Sequence, residues 1–180
     1  MPNFAIISYP FVEGDHSPSF ACQFAMLVEC LSDLHESNIV HGDVRLSNIV
    51  FNKEKATATL IDFDFAGMAG DKRYPEGFVT SAEDLGDGAR HKNASAGQVL
   101  QPEHDWFSLG AVMAFVEPKD DKLRKQWQDV VSQLKAVDVN VDMVKQALKA
   151  IREAALVLNG DPPVAPGTGS PPHKDEKSKK

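Results

Sequence analysis

His41-Gly42-Asp43-Val44-Arg45-Leu46-Ser47-Asn48, followed by Asp62-Phe63-Asp64-Phe65, is the stretch on which the reading of this chain turns. An acidic residue, an amide five positions later and a second acidic residue ending the next apolar strand can converge on one hard divalent cation. Carboxylate and amide oxygens are the ligands such a cation takes, and the remaining carboxylate can receive or orient a hydroxyl. Each half is ordinary by itself. His-Gly-Asp is turn sequence, because Gly and Asp both favour turns. Asp62-Phe-Asp-Phe alone suits an edge strand with solvated carboxylates. What is hard to obtain by chance is the order: helix, loop aspartate, asparagine, hairpin, strand-terminal aspartate.

Upstream, the apolar residues Phe24, Leu27, Val28, Leu31 and Leu34 recur at three and four, which predicts a helix from Phe20 to about Glu36 buried on one face. Ser17-Pro18 reads as its start, with the hydroxyl as cap and Pro at the first helical position. Residues 3–12 read as a strand running into an extended segment broken by Pro10 and Gly14. Between the two halves of the motif, Ile49 to Phe51 and Ala58 to Ile61 flank Asn52-Lys53-Glu54-Lys55, a hairpin by its turn chemistry. Residues 68–103 hold five of the twelve glycines and no sustained period, so they read as a long loop.

Three helices follow. His104 to Val116 is compact and apolar, closed by Pro118. Leu123, Trp127, Val130, Val131, Leu134 and Val137 make an amphipathic second, and Val144, Leu148, Ile151, Ala155 and Leu158 the last. Trp106 and Trp127 read as core anchors. After Asn159 the chain carries five of its eleven prolines and ends Lys-rich, composition that cannot bury apolar area and is expected to be disordered. The expected divisions are 1–14, 15–158 and 159–180.

At 180 residues, 42% apolar and 25% charged, the chain suits one globular core. A formal charge of −7 gives no basic footprint for nucleic acid. The apolar runs are too short to span a membrane, and the start lacks the pattern of a secretory signal. Cys22 and Cys30 stand eight apart on one predicted helix, too far to bridge, and read as buried thiols of a reducing compartment. An intracellular place, cytoplasm or nucleus, is the expectation; a secreted effector is the other if the chain belongs to a longer one.

From Leu27 to Phe65 the chain resembles the catalytic core of the protein-kinase-like superfamily. The resemblance implies a mainly α fold with a small β-hairpin, the C-terminal lobe of a kinase, with ATP and Mg²⁺ as cofactors and a protein hydroxyl as acceptor. By it, Asp43 matches the catalytic aspartate, and Arg45 takes the place of a phosphate-contacting lysine. Asn48 and Asp62 match the metal ligands, and His41 a packing histidine. Asp105-Trp-Phe-Ser-Leu-Gly110 resembles the family's Asp-x-Trp-Ser-x-Gly helix start with one residue shifted, which implies that Asp105 braces the catalytic loop.

Departures from the pattern matter too. Gly42 replaces the arginine that reads a phosphorylated activation loop in many protein kinases, and Asp64 stands where a glycine is usual. Both occur in aminoglycoside and choline kinases, whereas Arg45 and the segment from Asp105 lean toward protein kinases. The wording also resembles kinase-type domains of fungal and Crinkler-effector proteins. Before His41 there is one glycine, Gly14, and no lysine, so neither a Gly-rich phosphate-covering loop nor a strand lysine is expected. Residues 4–14 resemble the connector between lobes, and the N-terminal lobe is expected to be absent, its face covered by a partner. Three readings stay open: a protein kinase lobe incomplete alone, a non-catalytic pseudokinase-like binding module, and a small-molecule kinase of aminoglycoside or choline kinase type.

Overall fold

The computed structural model of the chain describes residues 11–19, 21–79 and 90–159. The strand expected over 3–12 lies mostly outside them, as do Phe20, Thr80, Ser81 and the tail from Gly160. Among the described residues the order is α1 (Ala21–Glu36), β1 (Ile39–Val40), a 3₁₀ turn (Leu46–Asn48), β2 (Ile49–Asn52), β3 (Thr57–Leu60), β4 (Gly67–Met68), α2 (Pro102–Phe115), α3 (Asp121–Leu134) and α4 (Val141–Asn159). The chain is thus mainly helical, with two small antiparallel sheets.

The hairpin β2–β3 pairs Ile49 with Leu60 and Asn52 with Thr57. Asn52 Oδ1 accepts the Lys55 N–H at 2.8 Å across its turn. The second sheet, β1 with β4, was not expected; its strands are two residues each, too short to show a period. It forms because Asn38, at a φ of +59°, turns the chain sharply out of α1, and its carbonyl accepts the Ala69 N–H at 3.0 Å. Asp15 pairs with Phe51 in both directions, at 3.0 and 2.7 Å, and so lays the entering segment along β2.

Several helix limits differ from expectation, α2 among them, which runs from Pro102 rather than His104 and ends at Phe115 rather than Val116. α1 begins at Ala21, not at Ser17, because the Ser17 N–H is taken by Asp15 Oδ1 at 2.7 Å and the Ser19 N–H by Gln23 Oε1 at 2.8 Å. Gln23 Nε2 also donates to Thr57 O at 3.1 Å, fastening α1 to the hairpin. α3 ends at Leu134, so Val137 lies beyond the helix and is 92% exposed; its fit to the apolar stripe is coincidence. α2 starts on Pro102 at its first position and stops at Phe115, before Pro118.

The core lies between α1, α2, α3, α4 and the hairpin. Phe24, Leu27, Val28 and Leu31 of α1 meet Leu109 and Val112 of α2, Trp127 and Val130 of α3, Leu148 and Ile151 of α4, and Ile49 and Phe51 of β2. The Phe24 ring stands edge-on to Trp127 with centroids 5.1 Å apart. Trp127 Nε1–H donates to Met113 O at 2.7 Å, satisfying a carbonyl near the end of α2. α2 is buried on nearly every side, from His104 to Met113, which makes it the central post of the molecule. Cys22 and Cys30 are unbridged and half-buried rather than buried, and burial raises both thiol pKa values. No described helix is long and apolar enough to cross a membrane.

Candidate functional site

The loop from His41 to Asn48 leaves β1 and crosses over the start of α2. Asp105, in the first turn of α2 and 1% exposed, holds it from below. Its Oδ2 accepts the His41 N–H and its Oδ1 the Gly42 N–H, each at 2.8 Å, and His35 Nε2 lies 3.0 Å from Oδ2. Two consecutive loop amides that no strand partner serves thus find a buried carboxylate, which satisfies donors and acceptor together.

The His41 ring is buried. Its Nδ1 accepts the Asp43 N–H at 3.2 Å, so the proton sits on Nε2 and is donated to Ile61 O at 3.1 Å. Burial lowers its pKa, which keeps the ring neutral, although Asp105 pulls the other way. Gly42 has a φ of +79°, and a Cβ there would lie 2.9 Å from Leu100 Cδ2. Both the backbone and the space therefore favour glycine at this position over the arginine of the related pattern.

Asp43, 2% exposed, faces Asn48, Arg45 and Arg90. Asn48 arrives on the 3₁₀ turn. Its Nδ2 donates both to Asp43 Oδ2 at 2.8 Å and to Asp43 O at 3.0 Å. Arg45 Nε stands 3.5 Å from the same Oδ2, an ion pair without a hydrogen bond. Arg90 Nη2 contacts Oδ1. The structure therefore brings Asp43, Arg45 and Asn48 together, with His41 and Asp105 supporting the loop.

Asp62 is placed by backbone. The Ile61 N–H donates to Asn48 O at 2.9 Å, and Ile61 O receives His41, so the end of β3 is pinned to the loop on both sides. Asp62 itself is exposed, with a φ of +63°, a left-handed conformation that is uncommon outside glycine and Asn or Asp. Its carboxylate has no ion pair or hydrogen bond among the described residues. Asp64 is exposed as well, and Lys72 Nζ binds its carbonyl at 3.0 Å.

With Nδ2 of Asn48 committed to Asp43, Oδ1 of the same amide is left to bind a cation, and the exposed Asp62 carboxylate is a second oxygen group without a partner among the described residues. Those two suit a hard cation that keeps most of its ligands as water or phosphate. No cluster of three or more His, Cys, Asp or Glu side chains that could hold a metal exists among the described residues.

Several site residues had no signal in the sequence. Arg90 sits in a region without a period. Tyr74 sits in the same unpatterned stretch; its hydroxyl lies 3.1 Å from His104 Nδ1 in a buried pair. Burial raises the Tyr74 pKa and lowers that of His104. The His91 ring stacks on His104 with centroids 5.1 Å apart. What links Tyr74, Arg90 and His91 is tertiary: all come from the segment between β4 and α2, with Tyr74 and His91 folding back on His104 in the first turn of α2 and Arg90 on the Asp43 carboxylate.

No protein family matches the chain, and no curated protein does. Among solved structures, the chain is similar to the Cydia pomonella granulovirus kinase PK-1, with a TM-score of 0.46 and 24% identity. The match covers 71% of this chain and 56% of that one, so this chain spans little more than half the length of that kinase.

Proposed function

We propose that this chain carries the base and metal-ligand half of an ATP- and Mg²⁺-dependent phosphotransferase site of protein-kinase type, acting on protein hydroxyls. The observation that carries the reading is Asn48. Its amide nitrogen is spent on Asp43, which orients the carboxylate and leaves the amide oxygen for a cation, while its backbone carbonyl accepts the N–H of Ile61, the residue before Asp62. Mg·ATP, when bound, supplies the phosphoryl group and the charge that steadies its transfer. Asp43 orients the acceptor hydroxyl and takes its proton, Arg45 offers charge to phosphate, and Asn48 with Asp62 holds the metal. Asp105 keeps the loop from shifting, and positioning is most of what such a reaction asks of a protein. The covering of the adenine and the remaining phosphates is left to groups outside the described residues, on a partner or another segment.

One observation favours the non-catalytic reading. Asp43 stands with both carboxylate oxygens occupied, Oδ2 by Asn48 and Oδ1 by Arg90. A binding module would keep that arrangement permanently. Thermal unfolding with ATP, with and without Mg²⁺, separates the two, with Asp62→Asn as control. The phosphotransferase reading expects a Mg²⁺-dependent rise in midpoint that the control abolishes. At a hundredfold excess over Kd the stabilisation is about 2.7 kcal/mol, or about 5–10 °C for a domain of this size. No shift at millimolar Mg·ATP sinks the reading in favour of the binding module.

A further inference from the structure

Arg90 is the contact that the proposed reaction leaves unexplained. It lies in the segment leading into α2, and its side chain is 6% exposed. Nη2 contacts Asp43 Oδ1, Nη1 donates to Gly42 O at 3.3 Å, and the guanidinium lies over the Phe78 ring at 4.1 Å from its centroid. Its Nε is buried with no hydrogen-bond partner. Arg45 Nε, on the other side of the same carboxylate, is also buried and without one.

Two guanidinium groups therefore share one carboxylate, and each keeps one buried Nε–H donor without a partner. A buried arginine ordinarily has its fork filled, because an unmet charged donor costs more than a neutral one. An oxyanion would supply the charged acceptor that both donors lack. We propose that Arg90, with Arg45, forms an anion subsite beside Asp43 for a phosphate-type oxyanion, and that its arrival draws Arg90 away from Asp43. Oδ1 is then free to accept a hydroxyl proton, so the base works only when the anion is in place. The purpose of the subsite rests on the phosphotransferase reading; its existence does not. The oxyanion has two possible sources, the terminal phosphate of the nucleotide or an acidic group on the acceptor.

The test begins without nucleotide. Calorimetric titration of inorganic phosphate into the full chain, without metal, should show binding that Arg90→Gln weakens about tenfold or more. Phe78→Leu, which keeps the charge and loses only the ring, should bind within about threefold of the unchanged chain. Absence of phosphate binding, or equal binding by Arg90→Gln, overturns the subsite. Uncapping has its own readout in the unsubstituted chain, so it does not depend on a variant folding. Carbodiimide labelling of Asp43, mapped by mass spectrometry, should rise in saturating sulfate, which the reagent leaves alone; unchanged labelling overturns the uncapping. Repeating the phosphate titration in saturating Mg·ATP identifies the source. Competition assigns the subsite to the nucleotide phosphate, and undiminished binding assigns it to an acidic acceptor. Should Mg·ATP not bind at all, the phosphotransferase reading fails while the phosphate titration still decides the subsite.

Discussion

Asp105 has three donors on one buried carboxylate: the His41 and Gly42 amides and the His35 ring. Replacing it by alanine strands two loop N–H groups away from water, at about 1–3 kcal/mol each. Asp105→Ala should therefore cost about 2–5 kcal/mol in denaturant unfolding, a large fraction of the roughly 5–15 kcal/mol of an ordinary domain. Asp105→Asn keeps one acceptor and should fall between the two. A loss under about 1 kcal/mol for the alanine variant would mean that water or a shifted loop serves those amides. The same local chemistry explains what could be read at this scale before any coordinates. Asp43, Arg45 and Asn48 sit within one short loop, so their meeting depends on local backbone that a run of adjacent letters can suggest. Arg90 reaches the same carboxylate from 47 residues away. Nothing in its neighbours announces that, because an arginine in a polar segment looks the same solvated or buried.

At the scale of elements, helix-long periodicity was legible and short pairing was not. α1 and α4 show their buried stripes because Phe24, Leu27, Val28 and Leu31 in one and Val144, Leu148 and Ile151 in the other face one core. The limits were less legible. A helix start depends on which side chain captures the first free N–H groups, and at α1 Gln23 and Asp15 outcompete Ser17. α3 offers a clean contrast between two kinds of element energy. Asp120 caps it by accepting the Leu123 N–H at 2.9 Å, at a partly exposed end, so Asp120→Ala should cost about 0.5–2 kcal/mol. Trp127, 3% exposed, joins α3 to α1 through Phe24 and to α2 through Met113 O. Trp127→Ala should cost about 3–5 kcal/mol, chiefly through the cavity it leaves, since Met113 O keeps the Val116 N–H. Chemical denaturation of both variants decides this. If the cap proves costlier than the tryptophan, the helix is held by its end, and the account of packing around α2 fails.

For the whole molecule, pH is the variable that reaches several buried groups at once, and they enclose a window of stability from both sides. His41 and His104 have pKa values lowered mainly by burial, so the unfolded chain takes up their protons first as pH falls. Their contribution is fully present above the unfolded histidine pKa of about 6.5 and is lost as pH drops below it, with a limiting slope of about 1.4 kcal/mol per pH unit for each ring. Tyr74 acts in the opposite sense. Burial, with Asp105 adding to it, raises its pKa, so its contribution is present below the unfolded phenol value of about 10 and is lost as pH rises past it. The half-buried thiols of Cys22 and Cys30 are raised too and erode stability in the same alkaline direction. Unfolding free energy should therefore be flat near neutrality, fall below about pH 6.5 before most carboxylates titrate, and fall again on the alkaline side. His104→Gln should reduce the acid slope between about pH 5 and 6.5, and Tyr74→Phe should remove the tyrosine share of the alkaline limb while the cysteines keep theirs. Both residues close the segment between β4 and α2 onto the first turn of α2, the same turn whose Asp105 holds the His41–Asn48 loop. Acid should accordingly loosen that segment before the α1–α4 core, visible as faster amide exchange at residues 90–101 than in α4. Uniform loosening at every position would show that the segment and the core unfold as one unit, and that the buried histidine pair does not hold the segment separately.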